Sequence, residues 1–198
     1  MISISFVIPV YNVQEYIKQC LDSIIYQIIN YQDFFEINIV DDGSTDLSGK
    51  ICDEYQKTFP NIINVVHQRN GGLSAARNTG IRMSHKKFIS FVDSDDYISG
   101  NFISNIINKN IDNEVQLFFL NAYKVFLDGK TVSLGNKYST KQINGMQRQK
   151  VLQSLANCKK FPGSACDKLI SKEFLIESDL YFKTGIYCED IDWTIRVF

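Results

Sequence analysis

The regular part of the chain opens with SFVIPVYN at residues 5–12, an apolar run that ends in polar residues. Its β-branched and aromatic side chains are typical of a strand buried on both faces. Apolar residues then recur from Val13 to Ile29 at the spacing of an amphipathic helix. We place the N-terminal cap of this helix at Asn12, because an acidic residue, Glu15, follows three positions later.

The same strand–helix unit recurs through the first half of the chain. Further strands are predicted at Phe35–Val40, Ile62–His67 and Phe88–Asp93, and further helices at Leu47–Phe59 and from Gly71 onward. Strands that alternate with helices are joined by right-handed crossovers, which bring them into one sheet in parallel. The pattern therefore predicts an α/β fold with a mostly parallel central sheet flanked by helices.

The second half of the chain is less regular. The dipeptide Asp128-Gly129 predicts a hairpin turn, because these residues readily adopt the positive φ angles that a tight turn requires. The other predicted elements are a helix at Phe102–Ile111, one long strand at Val115–Leu127, a strand at Lys130–Tyr138, a helix at Met146–Ala156 and a terminal helix with Ile191, Ile195 and Phe198 on one face.

Composition sets the class of protein. The 198 residues fit one domain, and 21 Lys+Arg against 22 Asp+Glu argue against a nucleic-acid binder. No apolar run is long enough to span a membrane, and the N-terminus resembles a strand rather than a signal peptide. The five cysteines are odd in number and lack a CxxC pair, so we expect reduced, buried thiols in a cytoplasmic protein.

Polar residues follow the ends of four predicted strands. Ligands of open α/β sheets bind outside the carboxyl ends of the strands, so these four segments are expected to face one crevice. They are Pro9-Val10-Tyr11-Asn12, Asp41-Asp42, Arg69-Asn70-Gly71-Gly72 and Asp93-Ser94-Asp95-Asp96. Alternate carboxylates at Asp93 and Asp95 suit Mg²⁺ or Mn²⁺, which bridges a diphosphate, and Asp41 or Asp42 can accept a hydrogen bond from the imide N–H of uracil.

Four segments in this order resemble the family 2 glycosyltransferases of the GT-A fold, whose fold binds nucleotide-diphosphate sugars. They are SFVIPVYN, INIVDDGSTD, RNGGLSAARNTGI and FISFVDSDDYI. Glu189-Asp190 resembles the acidic catalytic pair of that family. The likeness is close over residues 3–98 and resumes around 167–198.

The resemblance implies a role for each matching residue. Asp190 is the general base of an inverting transfer, beside Glu189, and Asp93 and Asp95 form the DxD motif that holds the metal and the sugar. The remaining predicted nucleotide-sugar contacts are Pro9, Tyr11, Asn12, Asp41, Asp42, Asn70, Arg77 and Ser94. The implied cofactor is Mn²⁺ or Mg²⁺, and the implied donor is a UDP-sugar.

The resemblance also implies an organisation and a setting. Residues 1–198 form a single GT-A domain, in which 1–98 bind the nucleotide-sugar and 99–198 face the acceptor, a saccharide or lipid-linked glycan. Family members continue past the acidic pair, so the chain is expected to end at a truncation. The expected location is the cytoplasm, at the inner face of the membrane, with peripheral association through the missing C-terminal part.

Three other functions compete with this interpretation. A shortened chain that binds a nucleotide-sugar without transferring it fits the same motifs. A phosphatase of the haloacid dehalogenase type also has Asp-x-Asp after a strand, but it leaves the VDDGSTD and NGGLSAARNTG segments unexplained. A dehydrogenase is disfavoured because no GxGxxG follows a strand. Trp193 is interpreted as a packing residue, with a wall of the acceptor site as the alternative.

Overall fold

A computed structural model describes residues 2–109, 115–126, 128–134, 150–151, 153–154 and 163–198. Six strands form one sheet in the order β3-β2-β1-β4-β8-β5, and two more form a separate hairpin, β6-β7. The strands are β1 Ile4–Val10, β2 Phe35–Asp41, β3 Ile63–His67, β4 Phe88–Phe91, β5 Leu117–Phe119, β6 Tyr123–Val125, β7 Thr131–Ser133 and β8 Lys168–Ser171. The helices that the structure describes from end to end are α1 Ile17–Ile28, α2 Ser48–Thr58, α3 Leu73–Met83, α4 Phe102–Asn108, α5 Lys172–Glu177 and α6 Glu189–Val197.

The first four strands are parallel, as predicted. β1 lies between β2 and β4, and β3 extends the sheet beyond β2. Val10 pairs with Asp41, and Asp41 pairs with His67, so the carboxyl ends of β1, β2 and β3 lie side by side. β8 and β5 add antiparallel strands beside β4. The predicted fold class is thus confirmed, including the additional hairpin.

Helices cover both faces of this sheet. Alternate residues of β1 point to opposite faces, as the pleat requires, so Phe6 and Ile8 contact one hydrophobic cluster and Val7 contacts the other. The first cluster receives the buried stripe of α1 together with Ile103 of α4. The second holds Trp193 of α6. Burial on both faces explains why the central strands are apolar throughout.

Several predicted details are wrong. α1 begins at Ile17, not after a cap at Asn12, because Asn12 adopts a left-handed conformation with φ of 53°. The long strand predicted at Val115–Leu127 is divided between β5 and β6, which belong to different sheets. Cys188 is exposed, although Cys20 and Cys52 are buried as expected.

The terminal helix exposes part of its predicted apolar face. Ile191 and Ile195 are about half exposed, at 45% and 49%, whereas Phe198 is buried. The predicted hairpin turn is confirmed, with Gly129 at φ of 80° between β6 and β7. The predicted helix at Met146–Ala156, the end of the Lys130–Tyr138 strand and Cys158 lie wholly or mostly outside the described residues. Within the described ranges, no helix has the length and hydropathy needed to cross a membrane.

Close packing of α3 against β1 predicts a large effect of one methyl group. A Cβ at Gly80 would lie 2.2 Å from Cγ1 of Val7. Gly80→Ala is therefore expected to lower the free energy of unfolding by about 1–3 kcal/mol, because the helix must move away from the strand. Urea denaturation measures this. Gly100→Ala is the matched control, since nothing lies within 4 Å of a Cβ there, and an equal loss in both variants would contradict the packing argument.

Candidate functional site

A groove of about 450 Å³ lies at the carboxyl ends of the parallel strands. Several predicted site residues line it together: Pro9, Tyr11, Asp42, Asn70, Asp93, Ser94 and Asp95. Val10, Val13, Gly72, Leu73 and Ala76 complete the lining. The side chain of Tyr11 is half exposed, so its ring is available to a planar ligand. The groove combines an apolar wall with a few carboxylates, as small-molecule sites commonly do.

Asp42 joins the end of β2 to the loop before α3. Its Oδ1 accepts hydrogen bonds from the backbone N–H of Gly71 at 3.0 Å and from Nε2 of Gln68 at 2.6 Å. Its Oδ2 accepts from the backbone N–H of Gly72 at 2.7 Å. Gly72 has a φ of 85°, which a side chain would resist. These bonds fix the orientation of the carboxylate at the edge of the groove.

Asp41 and Asn12 do not line the groove but support the loops beside it. Oδ2 of Asp41 lies 2.7 Å from Nδ1 of His67, and the other ring nitrogen of His67 lies 2.9 Å from Asp53. The hydrogen bonds with these two carboxylates raise the pKa of His67 above its ordinary value. Oδ1 of Asn12 accepts from the backbone N–H of Thr45 at 2.8 Å. Direct contacts of Asp41 and Asn12 with a nucleotide stay predictions.

The acidic turn after β4 places two carboxylates at the groove. Oδ1 of Asp93 accepts a hydrogen bond from Arg77 at 2.9 Å, and Asp95 is exposed. Burial, followed by the charges of Asp93 and Asp95, raises the pKa of the neighbouring Asp96. Among the described residues, no three His, Cys, Asp or Glu side chains are arranged to hold a metal ion. Two carboxylates suit a divalent ion whose other ligands come from a diphosphate and water.

Arg77 connects this acidic turn to the predicted catalytic pair. Its side chain is 1% exposed, and it donates to Asp93, to Asp190 and, at 3.4 Å, to Glu189. Its guanidinium also lies 5.3 Å from the ring centroid of Phe182. Burial alone lowers the pKa of Arg77, but Asp93 and Asp190 raise it above its ordinary value. Arg77 therefore remains a cation and holds the two acidic segments together.

Asp190 lies in the first turn of α6, where the helix dipole favours a negative charge. Its Oδ2 accepts from the backbone N–H of Ala165 at 3.1 Å, and its Oδ1 accepts from Arg77. Burial raises the pKa of Asp190, although Arg77 acts in the opposite direction. A general base benefits from a raised pKa, because its conjugate acid then lies nearer the working pH.

Aromatic packing holds α6 in place. Trp193 is fully buried and stacks on Phe182 with ring centroids 4.6 Å apart. Its indole N–H donates to the carbonyl of Leu180 at 2.8 Å, and its ring meets Phe91 of β4 edge-on. The interpretation of Trp193 as a packing residue is confirmed. This packing fixes Asp190 relative to β4 and its acidic turn.

Sequence reasoning missed the segment that supports Asp190 from the other side. A short 3₁₀ turn at Ala165–Asp167 supplies the N–H that binds Asp190, and Lys168 is buried immediately after it. A backbone donor leaves no residue-type signal in a sequence. The sequence alone does not distinguish the buried Lys168 from an exposed lysine.

Comparison with known proteins agrees with this geometry. The model of the family described as "Glycosyl transferase family 2" matches residues 5–178. Glycosyltransferase GlyA of Streptococcus pneumoniae is 38% identical over 72% of this chain, which spans 18% of GlyA. Glycosyltransferase GlyG of the same organism is 34% identical over 94% of this chain, which spans 62% of GlyG.

The fold has a counterpart among solved structures. A crystal structure of S. aureus TarS 1–349 superimposes with a TM-score of 0.76 at 23% identity, covering 100% of this chain and 55% of TarS 1–349. The chain thus has the GT-A fold. It belongs to glycosyl transferase family 2, as its motifs predict. The chain spans less than two thirds of each relative named here. Family membership disfavours the phosphatase and the dehydrogenase.

Proposed function

We propose that the chain transfers a sugar, with inversion, from a UDP-sugar to a hydroxyl group of a saccharide or lipid-linked glycan. The observation that carries this proposal is one continuous arrangement of charges. Asp42 and the carboxylates of Asp93 and Asp95 lie at a single groove, and Arg77 links Asp93 to Asp190. The proposed nucleotide site and the candidate base are thus joined by the same guanidinium.

The groove suits the nucleoside end of such a donor. Tyr11 and Pro9 offer planar and apolar surface to a base and ribose, and Asp42 offers carboxylate oxygens to an imide N–H. Because a carboxylate only accepts hydrogen bonds, it favours a base that donates one, as uracil does. Crystal structures of the similar TarS contain UDP-GlcNAc or UDP. These points support UDP as the nucleotide.

The acidic turn suits the diphosphate through a divalent ion. Asp95 and the second oxygen of Asp93, Oδ2, would hold Mn²⁺ or Mg²⁺, which would act as a Lewis acid that stabilises the departing diphosphate. A glucosyl-3-phosphoglycerate synthase of similar fold, from Mycobacterium tuberculosis, was crystallised with Mn²⁺ and UDP. Arg77 would neutralise Oδ1 of Asp93, the oxygen to which it donates, and so keep the acidic turn in place with or without an ion.

Asp190 is the proposed general base. Arg77 and the N–H of Ala165 orient its two oxygens, and its side chain remains 23% exposed, which leaves room for an approaching hydroxyl. Asp190 would take the proton from this hydroxyl as the hydroxyl attacks the anomeric carbon from the face opposite the diphosphate. Glu189, also bound to Arg77, adds negative charge beside Asp190 and so favours proton uptake.

The relatives support the proposed acceptor and setting. Those similar to this chain include the minor teichoic acid biosynthesis proteins GgaA and GgaB of Bacillus subtilis. A surface glycan under construction, met at the inner face of the membrane, is therefore the proposed acceptor. Residues 1–98 carry the proposed nucleotide contacts, and the segments after 163 carry the proposed base and its supports.

The proposal is tested by titrating UDP into the chain with and without Mn²⁺, followed by calorimetry. Asp95→Ala is expected to weaken metal-dependent UDP binding at least about 10-fold, because one of two carboxylate ligands is removed. Asp33→Ala is the control, since Asp33 is an exposed acid just before the amino end of β2, whereas the groove lies at the carboxyl ends of the parallel strands. Binding that is independent of Mn²⁺, or equal in both variants, would overturn the assigned metal site, and no binding of UDP by the folded chain would overturn the proposed donor.

A further inference from the structure

Lys168 is a fully buried lysine at the start of β8. Its Nζ lies 2.6 Å from the backbone carbonyl oxygen of Ser164 and 2.6 Å from Oδ1 of Asp167. Burying an ammonium group is costly unless it is paired and hydrogen-bonded. Burial lowers the pKa of Lys168, and the charge of Asp167 opposes this effect. A residue kept at this cost requires an explanation beyond packing.

Both residues that Lys168 binds, Ser164 and Asp167, belong to one turn. This turn, residues 163–167, contains the 3₁₀ segment, and the hydroxyl of Ser164 accepts from the backbone N–H of Cys166 at 3.1 Å. Lys168 pulls the Ser164 carbonyl toward β8. The Ser164 carbonyl and the Ala165 N–H belong to one trans peptide group, so this N–H points in the direction opposite to the bond between the carbonyl and Lys168.

The Ala165 N–H points at Asp190. It donates to Oδ2 at 3.1 Å, on the side of the carboxylate opposite to Arg77. A second bond joins the same turn to α6, since the hydroxyl of the buried Thr194 donates to the carbonyl of Gly163 at 3.3 Å. Residues 163–167 therefore contact α6 at Asp190 and Thr194, which lie one helical turn apart. Lys168 binds Ser164 and Asp167 of the same segment.

We propose that Lys168 is a positioning residue for the candidate base Asp190, acting through the turn at residues 163–167. This inference rests on the proposed function, because it gives Asp190 a catalytic task. The hydrogen bonds of Lys168 given above are to Ser164 and Asp167, and the charge of Asp190 also acts on Lys168. It fixes the Ser164 carbonyl, the Ala165 N–H follows, and Asp190 is held between this N–H and Arg77.

The competing explanation is a purely structural ion pair between Lys168 and Asp167. The two explanations differ in what Lys168→Met does. A structural pair affects stability, and it affects the rate independently of Asp190. A positioning residue affects the rate through Asp190, because the misplacement of a reacting group by about 1 Å lowers a rate by about 10²-fold.

The test compares UDP-sugar turnover and UDP affinity in Lys168→Met, Asp190→Asn and the variant that combines them. Lys168→Met is expected to lower kcat about 10²-fold while the dissociation constant for UDP changes by less than about 2-fold. In the Asp190→Asn background it is expected to lower kcat no further. Lys172→Met is the matched control, since it removes a lysine four residues along and keeps every contact of the turn.

A second measurement does not depend on turnover. Hydrogen exchange of the Ala165 amide reports the bond to Asp190 directly, and Lys168→Met is expected to lose protection there while the β4 amides retain theirs. Lys168→Met combined with Asp167→Asn removes both charges of the ion pair, and this double variant is used if the single variant does not fold.

Each outcome decides a different claim. Full protection of Ala165 in the folded variants, or additive losses of kcat in the combined variant, would overturn the positioning role. A third outcome is that Ala165 loses protection in Lys168→Met while the wild-type chain turns over no UDP-sugar. This outcome would contradict the proposed function and leave the structural coupling between Lys168 and Ala165 established.

Discussion

Replacing Asp190 by Asn is expected to lower the rate of sugar transfer by about 10²–10⁴-fold, which corresponds to about 3–5 kcal/mol in the activation barrier. The amide keeps the shape of the carboxylate but cannot take a proton from the acceptor hydroxyl. The affinity for UDP is expected to remain within about 2-fold, because Asp190 does not line the groove that Asp42 and Asp95 share. Release of UDP from a panel of UDP-sugars measures the rate.

Asp192→Asn is the matched control for this prediction. Asp192 lies on the same helix two residues later, and it pairs with Lys183 and Arg196 instead of Arg77. Its substitution is expected to leave the rate within about 3-fold, since these partly exposed ion pairs involve neither Arg77 nor the groove and contribute little to stability. Equal losses in the two variants, or a loss below 10-fold in Asp190→Asn, would show that Asp190 is not the base.

Replacing Arg77 by Met is expected to produce the largest loss of stability among the substitutions described here. Arg77 is buried and faces Asp93, Glu189 and Asp190, all three of which lose their cation in the variant. Breaking a buried ion pair by removing one partner costs about 3–5 kcal/mol. Because the three carboxylates remain partly exposed, we expect about 3 kcal/mol at neutral pH, measured by urea denaturation.

This loss is expected to depend on pH. Burial raises the pKa of Asp190 and Arg77 opposes this effect. Without Arg77 the Asp190 carboxyl takes up a proton more readily as the pH falls, so Arg77→Met is expected to be less destabilising near pH 4 than near pH 7. Arg82→Met is the matched control, five residues further along α3, where the side chain is exposed and the guanidinium lies over the ring of Tyr181. We expect it to cost about 1 kcal/mol or less at either pH. A pH-independent loss in Arg77→Met would indicate that packing, not charge, determines the role of Arg77.

Much of the fold was predictable from local patterns. The apolar runs that end in Asn12, Asp42 and Asp93 mark central strands, since only strands covered on both faces are apolar throughout. Because parallel strands end at one edge, their polar ends had to converge, and the groove contains most of the residues predicted for it. The Asp128-Gly129 turn was predictable from a different local signal, because glycine readily adopts the positive φ that Gly129 has in the structure.

The remaining details depend on contacts between distant residues. Asn12 has the side chain of a helix cap, but its amide oxygen binds the backbone of Thr45 instead, which lies 33 residues away. The run from Val115 to Leu127 is continuous in sequence, yet its two halves pair with different partners, β8 and β7. The connection of Asp93 to Asp190 by Arg77, and the support of Asp190 by Ala165, join segments that no local pattern relates.

A crystal structure of the chain with UDP and Mn²⁺ tests the central claim most directly. We predict that the uracil lies beside Tyr11 and Asp42, that the diphosphate reaches an ion held by Asp93 and Asp95, and that Asp190 stays bonded to Arg77 and Ala165. A nucleotide bound outside the groove, or a diphosphate remote from Asp93 and Asp95, would contradict the assignment of this groove as the donor site.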